Sequence, residues 1–406
     1  MKLSKYSLFI GLLWLVAGVV ITASATIRVS LLTCGPGEPV YTLEGHSALR
    51  LQFDDGRDVT VNWGLFDFAD PGFEWKFAKG RTDYLCGACP TIAFLNEYRY
   101  SGRSVVEQPI NLSPEQTELL VNLVEQNLQP ENVKYRYRYL SDNCATRPLN
   151  IIEQAIKLSG DTLRFLSPAD GDKETTFRRE LRQYHVDNQF YQLFIDIALG
   201  RDVDRPITDR QRAFAPLYLS RLIERGQIVD PATGQASPLT VGEPVTLVAE
   251  ASGCRSSEPS AWVVVAPVLV WALATCFWQI KRKRVCRWSN ALFFLLYGVL
   301  GVMVAMLMFW SEQEATGANR NLLWLNPLLL IVPLLIWWRK CQKIMKWAMA
   351  VFALATFMFI FNYMFSSATS IFVSLMALAE LLMAFSYYWV AERTDLTSTT
   401  SSSSKR

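Results

Sequence analysis

A single cysteine in a polar hexapeptide is the residue best suited to nucleophilic chemistry in this 406-residue chain. Cys144 lies in Asp142-Asn143-Cys144-Ala145-Thr146-Arg147, between an alternating strand predicted over 133–140 and an apolar-periodic helix predicted over 149–158. Backbone N–H groups at a helix start stabilise a thiolate, so Cys144 is a candidate nucleophile and is expected at the cap or in the first turn. A buried, inert thiol or half of a disulfide is the alternative.

Only two histidines are available as a general base for this thiol. His46 begins a predicted strand, whereas His185 lies in a polar helical stretch and is expected on the surface. A nucleophile needs a base within hydrogen-bond reach and a third group that orients the base. The neighbours of His46 supply a candidate for that third group.

A β-hairpin is predicted over 46–63, where two alternating strands flank an Asp-Asp-Gly turn. Its apolar side chains share one face, and its polar side chains share the other. Antiparallel register places Asn62 near Ala48 and diagonal to His46, so the Asn62 amide is expected to bond the imidazole. The predicted catalytic residues are therefore Cys144, His46 and Asn62.

Residues 1–25 combine two lysines with an apolar run over 8–21 and small residues at 23–25. This pattern is typical of an export signal cleaved after residue 25, with an uncleaved N-terminal anchor as the alternative. Both interpretations place a domain at 26–258 outside the cytoplasm.

Five apolar stretches follow, each near the ~20 residues that a helix needs to cross a bilayer. They are residues 261–280, 288–310, 322–338, 347–365 and 368–391. Basic residues cluster at 281–287 and 339–346, whereas the loop at 311–320 carries two glutamates and one arginine. The positive-inside rule therefore places both basic loops in the cytoplasm. We predict a five-helix transmembrane domain at 259–391 and a disordered cytoplasmic tail at 392–406.

The external domain is predicted to be α+β. Ser113-Pro114-Glu115-Gln116 is typical of a capped helix start, and the helix is expected to end near Gln129. Strands precede and follow this helix, and further helices are predicted over 173–226. An aromatic cluster within 63–77 is interpreted as core, with an acyl-chain groove or a membrane-facing rim as the alternative. It comprises Trp63, Phe66, Phe68, Phe73, Trp75 and Phe77.

Charge and cysteine content exclude several kinds of partner. The net charge of +3 and the lack of a long basic block outside the membrane loops argue against nucleic acid. Five of the eight cysteines precede the first span, so at least one external thiol has no partner in the chain. Cys86 and Cys89 have C-x-x-C spacing without a thioredoxin-like context, which favours a local disulfide or no function. Because no Cys/His set has zinc spacing, we expect neither metal nor cofactor.

Four ordered motifs resemble those of the Lnb-type lipoprotein N-acyltransferases. The motifs occupy residues 30–37, 45–50, 61–68 and 142–147. That family joins an N-terminal periplasmic domain to a C-terminal membrane bundle, so the resemblance covers nearly the whole chain. The order of His46, a polar residue and Asn143-Cys144 is also similar to the circularly permuted NlpC/P60 thiol enzymes. Those include the lecithin:retinol-type acyltransferases, in which Asn-Cys is followed by Glu-His rather than by Ala145 and Thr146.

The resemblance implies a permuted NlpC/P60-like fold and a lipid-modifying reaction. An acyl chain would move from a membrane phospholipid, through a Cys144 thioester, to the N-terminal amine of diacylglyceryl-cysteine lipoproteins. The site would lie in the periplasm at the bacterial inner membrane, on a multi-pass integral membrane protein. Asn62 matches the third polar position of the relatives only by its place. Arg50, Asn143 and Arg147 lie within the motifs and are expected to bind substrate.

Two other functions are compatible with the sequence. A periplasmic Cys/His amidase or peptidase of the cell wall would use the same pair, but it needs no five spans and the chain lacks a cell-wall-binding repeat. A non-enzymatic membrane scaffold or transporter would make Cys144 structural. Glu380 is the single charged residue deep in the predicted spans, which disfavours a transporter.

The orientation is testable with a reporter that is active only outside the cytoplasm. Fusions after Asp230 or within 312–318 should be active, and fusions after Arg284 or Lys343 should be silent, because basic loops stay inside. The opposite pattern would contradict the predicted topology.

Overall fold

The computed structural model describes residues 27–66, 71–168, 174–251, 259–366 and 368–403. The predicted export segment at 1–25, the aromatic Phe68 and the external Cys254 lie outside the described residues. The chain divides into two compact units. One comprises Met1–Thr175 with Pro206–Ser256, and the other comprises Thr176–Arg205 with Ser257–Arg406. Residues 176–205, which the sequence boundaries included in the external domain, therefore group with the apolar helices.

The strands of the described residues are β1 (Ile27–Cys34), β2 (His46–Phe53), β3 (Asp58–Leu65), β4 (Asp83–Pro90), β5 (Val105–Pro109), β6 (Lys134–Arg136), β7 (Thr162–Phe165), β8 (Thr175–Thr176), β9 (Pro206–Ile207), β10 (Gly226–Val229), β11 (Ala236–Pro238) and β12 (Val245–Val248). The α-helices are α1 (Phe73–Lys79), α2 (Thr91–Ser101), α3 (Pro114–Leu128), α4 (Thr146–Leu158), α5 (Phe177–Tyr184), α6 (Gln189–Ala198), α7 (Asp209–Arg212), α8 (Pro216–Glu224), α9 (Trp262–Arg282), α10 (Arg287–Phe309), α11 (Ile331–Leu335), α12 (Gln342–Met364) and α13 (Ile371–Ser403).

The first unit is built on a seven-stranded sheet in the order β12-β5-β1-β2-β3-β4-β6. Every neighbouring pair is antiparallel, and a three-stranded sheet, β11-β10-β7, lies elsewhere in the unit. Helices and an antiparallel sheet in one domain confirm the α+β prediction at that level.

Both faces of the central hairpin are buried, although the sequence assigned one face to the core and a polar character to the other. Leu49, Val61 and Trp63 form the expected apolar face and are almost fully buried. Thr60, on the opposite face, is also buried, because α2 packs there and the Thr60 and Thr91 hydroxyls bond at 2.9 Å. The imidazole face of the hairpin therefore lies in a low-dielectric environment.

The start of one helix was predicted correctly from its capping residues, whereas one strand was predicted too long. The capping box of α3 is present, with the Gln116 N–H donating to the Ser113 hydroxyl at 3.1 Å. The strand predicted over 133–140 is correct only for β6, because the chain then turns and Arg138 pairs with Asp142. This turn brings the chain to Cys144.

Among the described residues of the second unit, four helices are long and apolar enough to cross a membrane: Trp262–Arg282, Arg287–Phe309, Arg339–Met364 and Ile371–Arg393. The third predicted span, 322–338, is instead an interrupted segment of 3₁₀ turns and the short α11. Its two prolines, Pro327 and Pro333, cannot donate backbone hydrogen bonds, which accounts for the interruption. The C-terminal helix continues to Ser403, so most of the tail at 392–406 is helical and not disordered as predicted.

A buried arginine organises the part of the second unit that precedes these helices. Arg178 donates to Asp204 at 2.6 Å and to the backbone oxygens of Asp196, Leu199 and Gly200. Its side chain is 4% exposed. The Asn319 amide then donates to the Ile197 oxygen at 2.8 Å, which joins α6 to the loop after α10.

Replacing Arg178 should destabilise the second unit strongly. Arg178→Met leaves Asp204 without its cation and Asp196 paired with Arg182 alone, which costs about 3–5 kcal/mol. Arg179→Met is the matched control, because Arg179 is exposed. Thermal unfolding of both variants in detergent, followed by size-exclusion fluorescence, measures the difference. Equal midpoints would contradict the role of Arg178.

Candidate active site

His46 and Asn62 meet at one end of the β2–β3 pair, as the hairpin register predicted. Asn62 lies opposite Ala48, and His46 Nε2 lies 3.0 Å from Asn62 Oδ1. An amide oxygen only accepts, so Nε2 carries the imidazole proton. Nδ1 then keeps its lone pair, which is what a general base requires.

The loop before α4 is fixed by the side chain of Asn143. Its Oδ1 accepts from the backbone N–H groups of Ala145 and Thr146, at 2.8 and 2.9 Å. Its Nδ2 donates to the Tyr139 and Phe214 oxygens, both at 2.8 Å. All of the amide's usual bonds are therefore used within the protein. Asn143 positions the Cys144 loop, and substrate contact by this residue stays a prediction.

Cys144 lies one residue before Ala145, the cap of α4, and contacts the ends of both hairpin strands. The backbone N–H of Ser47 hydrogen-bonds the Cys144 thiol group. A side chain at Gly64 would place its Cβ 3.6 Å from the Cys144 Cβ. Because Ser47 adjoins His46 and Gly64 follows Asn62 by two residues, the three predicted catalytic residues gather at one sheet end.

A β-bulge makes room for the cysteine. The β3–β4 register shifts between Trp63 and Leu65, and Gly64 between them has a φ of +90°. Only glycine adopts that conformation without strain, and a bulge bends its strand locally. Gly64 thereby lets Cys144 approach the end of β3.

Burial keeps the thiol and the imidazole neutral. Burial raises the pKa of the Cys144 thiol to about 11, and the backbone N–H of Ser47 lowers it by less. Burial also lowers the pKa of His46 to about 4, although the Asn62 bond acts in the opposite direction. At pH 7 both side chains are therefore uncharged. The expected resting thiolate does not form, because desolvation outweighs the N–H groups.

Two charged residues outside the four sequence motifs, Glu44 and Arg103, change pKa values in this site. Glu44 is buried, accepts a 2.5 Å bond from the Tyr139 hydroxyl, and raises the pKa of Cys144 through its charge. Arg103 lowers the pKa of both Cys144 and His46. It donates to the Gly35 oxygen at 2.9 Å, and its Nη2 is buried without a hydrogen-bond partner in the described chain. Glu44 stands two residues before His46, which was a visible signal, whereas Arg103 is distant in sequence.

Arg50 is held inside the sheet. Its guanidinium pairs with Asp58 at 2.5 Å and with Glu107 at 2.9 Å, and its side chain is 13% exposed. The bonds to two carboxylates occupy Nε, Nη1 and Nη2. Arg50 therefore links strands across the sheet, and substrate contact by this residue stays a prediction.

Arg147 is placed differently from the other two predicted binding residues. It pairs with Asp142, and its guanidinium lies 4.0 Å above the Tyr135 ring. It also borders an open groove of about 620 Å³ with Arg136 and Arg138. Substrate contact by Arg147 remains a prediction.

Three further cysteines of the first unit and the second histidine are buried. Cys34, Cys86 and Cys89 are free thiols, and Cys34 pairs with His46 across β1 and β2. The local Cys86–Cys89 disulfide is wrong, because residues three apart on a strand point to opposite faces. His185 is 1% exposed and bonds Gln192 at 2.7 Å, so it is not the surface residue predicted.

Within the described part of the chain, no group of three His, Cys, Asp or Glu residues could hold a metal ion.

Comparison with family models gives two matches. Residues 21–176 match the Lnb N-terminal periplasmic domain, and residues 255–395 match the Lnb transmembrane domain. The chain belongs to the Lnb family. No curated protein and no solved structure matches it significantly. Family membership and four apolar helices make it a multi-pass membrane protein of lipoprotein processing, with a periplasmic domain.

The neutral state of the pair predicts the pH dependence of Cys144 alkylation. Iodoacetamide reacts with the thiolate, so the rate at Cys144 should keep rising with pH up to about 11. Peptide mass spectrometry of the full chain in detergent measures the rate at each cysteine. Cys86 and Cys89, 2% and 8% exposed, serve as unreactive internal controls. A rate that is already constant between pH 5 and 8 would instead indicate a thiolate–imidazolium pair.

Proposed function

We propose that this Lnb-family chain is a lipoprotein N-acyltransferase that works through a thioester at Cys144. The acyl donor is a membrane phospholipid, and the acceptor is the N-terminal amine of a diacylglyceryl-cysteine lipoprotein. The observation that carries the proposal is the Cys144, His46 and Asn62 arrangement at one sheet end. It occurs in a chain whose two family matches concern a periplasmic and a transmembrane domain.

In the first half-reaction, His46 Nδ1 takes the Cys144 proton while the sulfur attacks the ester carbonyl. The C–S bond forms, the ester C–O bond breaks, and the proton passes from the imidazolium to the departing lysophospholipid oxygen. Because both groups are neutral at rest, the charge pair exists only during the reaction. Asn62 accepts from Nε2–H and stabilises the imidazolium that forms.

Backbone N–H groups support the negative charge that develops. The N–H groups of Ser47 and Cys144 itself lie at the Cys144 thiol, where they lower its pKa. Donors at such a position also suit the carbonyl oxygen of the tetrahedral intermediate, and one such donor contributes about 3 kcal/mol in known enzymes. Arg103 adds a positive charge to the same region.

In the second half-reaction, the lipoprotein amine attacks the thioester. An amide bond forms, the C–S bond breaks, and His46 takes the proton that the attacking amine loses and passes it to the departing sulfur. Both substrates are lipid-anchored, so a membrane-bound enzyme meets them at high effective concentration. No cofactor is needed for either step.

The proposal places the protein in the bacterial inner membrane with the first unit in the periplasm. It also includes a fifth crossing by residues 320–341. Asn321 donates to the Ile197 oxygen, whereas Lys346, one turn into α12, pairs at 2.6 Å with Glu392, near the end of the apolar part of α13. The chain thus passes from one end of the helical bundle to the other between these residues. Five crossings keep both basic loops on the cytoplasmic side.

The decisive experiment isolates the acyl-enzyme. Wild-type protein in phospholipid nanodiscs without lipoprotein should gain one acyl chain, labile to hydroxylamine, on the peptide that contains Cys144. Adding a diacylglyceryl lipopeptide should remove the acyl chain and N-acylate the lipopeptide. Cys144→Ala should give neither product, and His46→Ala should lower the rate by at least about 100-fold. Asn62→Ala should lower it by roughly 10-fold, because it only orients and stabilises the base.

Cys89→Ala is the matched control and should behave as wild type, since Cys89 is a buried thiol outside the arrangement. Full transfer by Cys144→Ala would refute the thioester mechanism. A cell-wall amidase or peptidase would instead cleave peptidoglycan fragments and leave no lipid adduct. A scaffold would show neither activity.

A further inference from the structure

A continuous line of aromatic rings begins beside Cys144. A Cβ added at Gly64 would lie 3.6 Å from both the Cys144 Cβ and the Tyr137 ring, so these two side chains flank the glycine. Tyr137 stacks on Tyr84 at 4.2 Å, and Tyr84 lies 5.2 Å from Phe66.

The line continues into α1. Phe66 stacks on Phe73 at 5.7 Å, and Phe73 lies 6.2 Å from Phe77. We call these five rings the aromatic row. They are Tyr137, Tyr84, Phe66, Phe73 and Phe77.

The aromatic row leaves the protein interior at α1. Tyr84 and Phe73 are each 7% exposed, whereas Phe77 is 52% exposed. Trp75 on the same helix is 61% exposed, and Tyr41, which packs against Phe66 at 5.6 Å, is 57% exposed. Isolated exposed aromatics are common, but adjacent ones that continue a buried row form an apolar patch typical of a binding surface.

The composition of α1 fits a lipid surface. Lys76 and Lys79 lie in its last turn, among the exposed rings of Trp75 and Phe77. Tryptophan and phenylalanine are stable at the headgroup level of a bilayer, and lysines beside them are attracted to anionic phospholipid. The charge and the apolar area therefore suit the same partner.

We infer that α1 docks on an anionic phospholipid leaflet, and that a donor acyl chain reaches Cys144 along the aromatic row. The first part concerns a membrane contact of the periplasmic domain itself. The second part rests on the proposed function, because it gives the thioester its acyl chain. A row of aromatic rings offers a hydrocarbon chain an apolar surface whatever the headgroup of the lipid.

Photocrosslinking tests the docking without any variant. The full chain is placed in nanodiscs of phosphatidylcholine and phosphatidylglycerol that contain a phospholipid with a photoactivatable acyl chain. The peptide over 71–81 should carry the lipid adduct, and the peptide over 91–101 should not. The second peptide is a matched control, since its Ile92 and Tyr100 are 62% and 96% exposed. If the peptide over 71–81 carries no adduct, the docking on lipid is refuted. This holds whether the patch is then covered by a second copy of the chain or by another protein.

Paired variants test the acyl path. Trp75→Ser with Phe77→Ser should lower the rate of Cys144 acylation from bilayer phospholipid about tenfold. Ile92→Ser with Tyr100→Ser should leave that rate within about twofold of wild type, because these exposed side chains lie outside the row. Equal rates in the two double variants would overturn the acyl path. Adduct on 71–81 with no acylation of wild-type Cys144 would support the docking and refute the proposed function instead.

Discussion

The antiparallel register between β2 and β3 is the constraint on which the candidate site depends. A slip by one residue would send Asn62 to the opposite face and leave the imidazole without its acceptor. Arg50 has its physical role here, because it joins Asp58 on β3 to Glu107 on β5 from its position on β2. Trp63 adds to this by burying its ring on the other face, where its indole N–H donates to Asn127 at 3.2 Å. The ion pairs of Arg50 and the buried ring of Trp63 thus stabilise the same register from the two faces of the sheet.

Burial then determines how the site can work. A sheet covered on both faces offers a low dielectric, in which an isolated thiolate or imidazolium is costly. In the proposed mechanism the two groups are neutral until a substrate carbonyl arrives, and the charge that then develops meets backbone N–H groups already in place. This arrangement also protects the thiol in an oxidising compartment, since the thiolate is the form that oxidants attack.

The sequence predicted those parts of the fold whose causes are local. The hairpin register followed from alternation and an Asp-Asp-Gly turn, and the start of α3 followed from its capping box. Arg103 was not predictable, because its position depends on the packing of α2 against β1, far from the motifs.

Other predictions were wrong or incomplete, some despite a signal in the sequence and some because the sequence carries no such signal. The interruption of the third span was visible in Pro327 and Pro333, but hydropathy alone did not register it. His185 was misplaced because its burial comes from Gln192 and Tyr191 on the next helix, which the polar pattern around it does not reveal. The motif residues Arg50 and Asn143 were recognised as important, yet the sequence could not distinguish a substrate contact from a structural one.

Residues 176–205 belong to the second unit, although they lie in the sequence between two stretches of the first. This affects the order in which the protein is assembled. A chain emerges from its N-terminus, so this segment is synthesised before the apolar helices that it joins. Arg178 finds all of its acceptors within the segment itself, so its charge is neutralised as soon as residue 204 has emerged. Arg182 donates to the oxygens of Ala368 and Thr369, which exist only after α12 has been made. The contacts of Arg178 are thus available before the apolar helices exist, whereas those of Arg182 with residues 368 and 369 form only when the last helix begins.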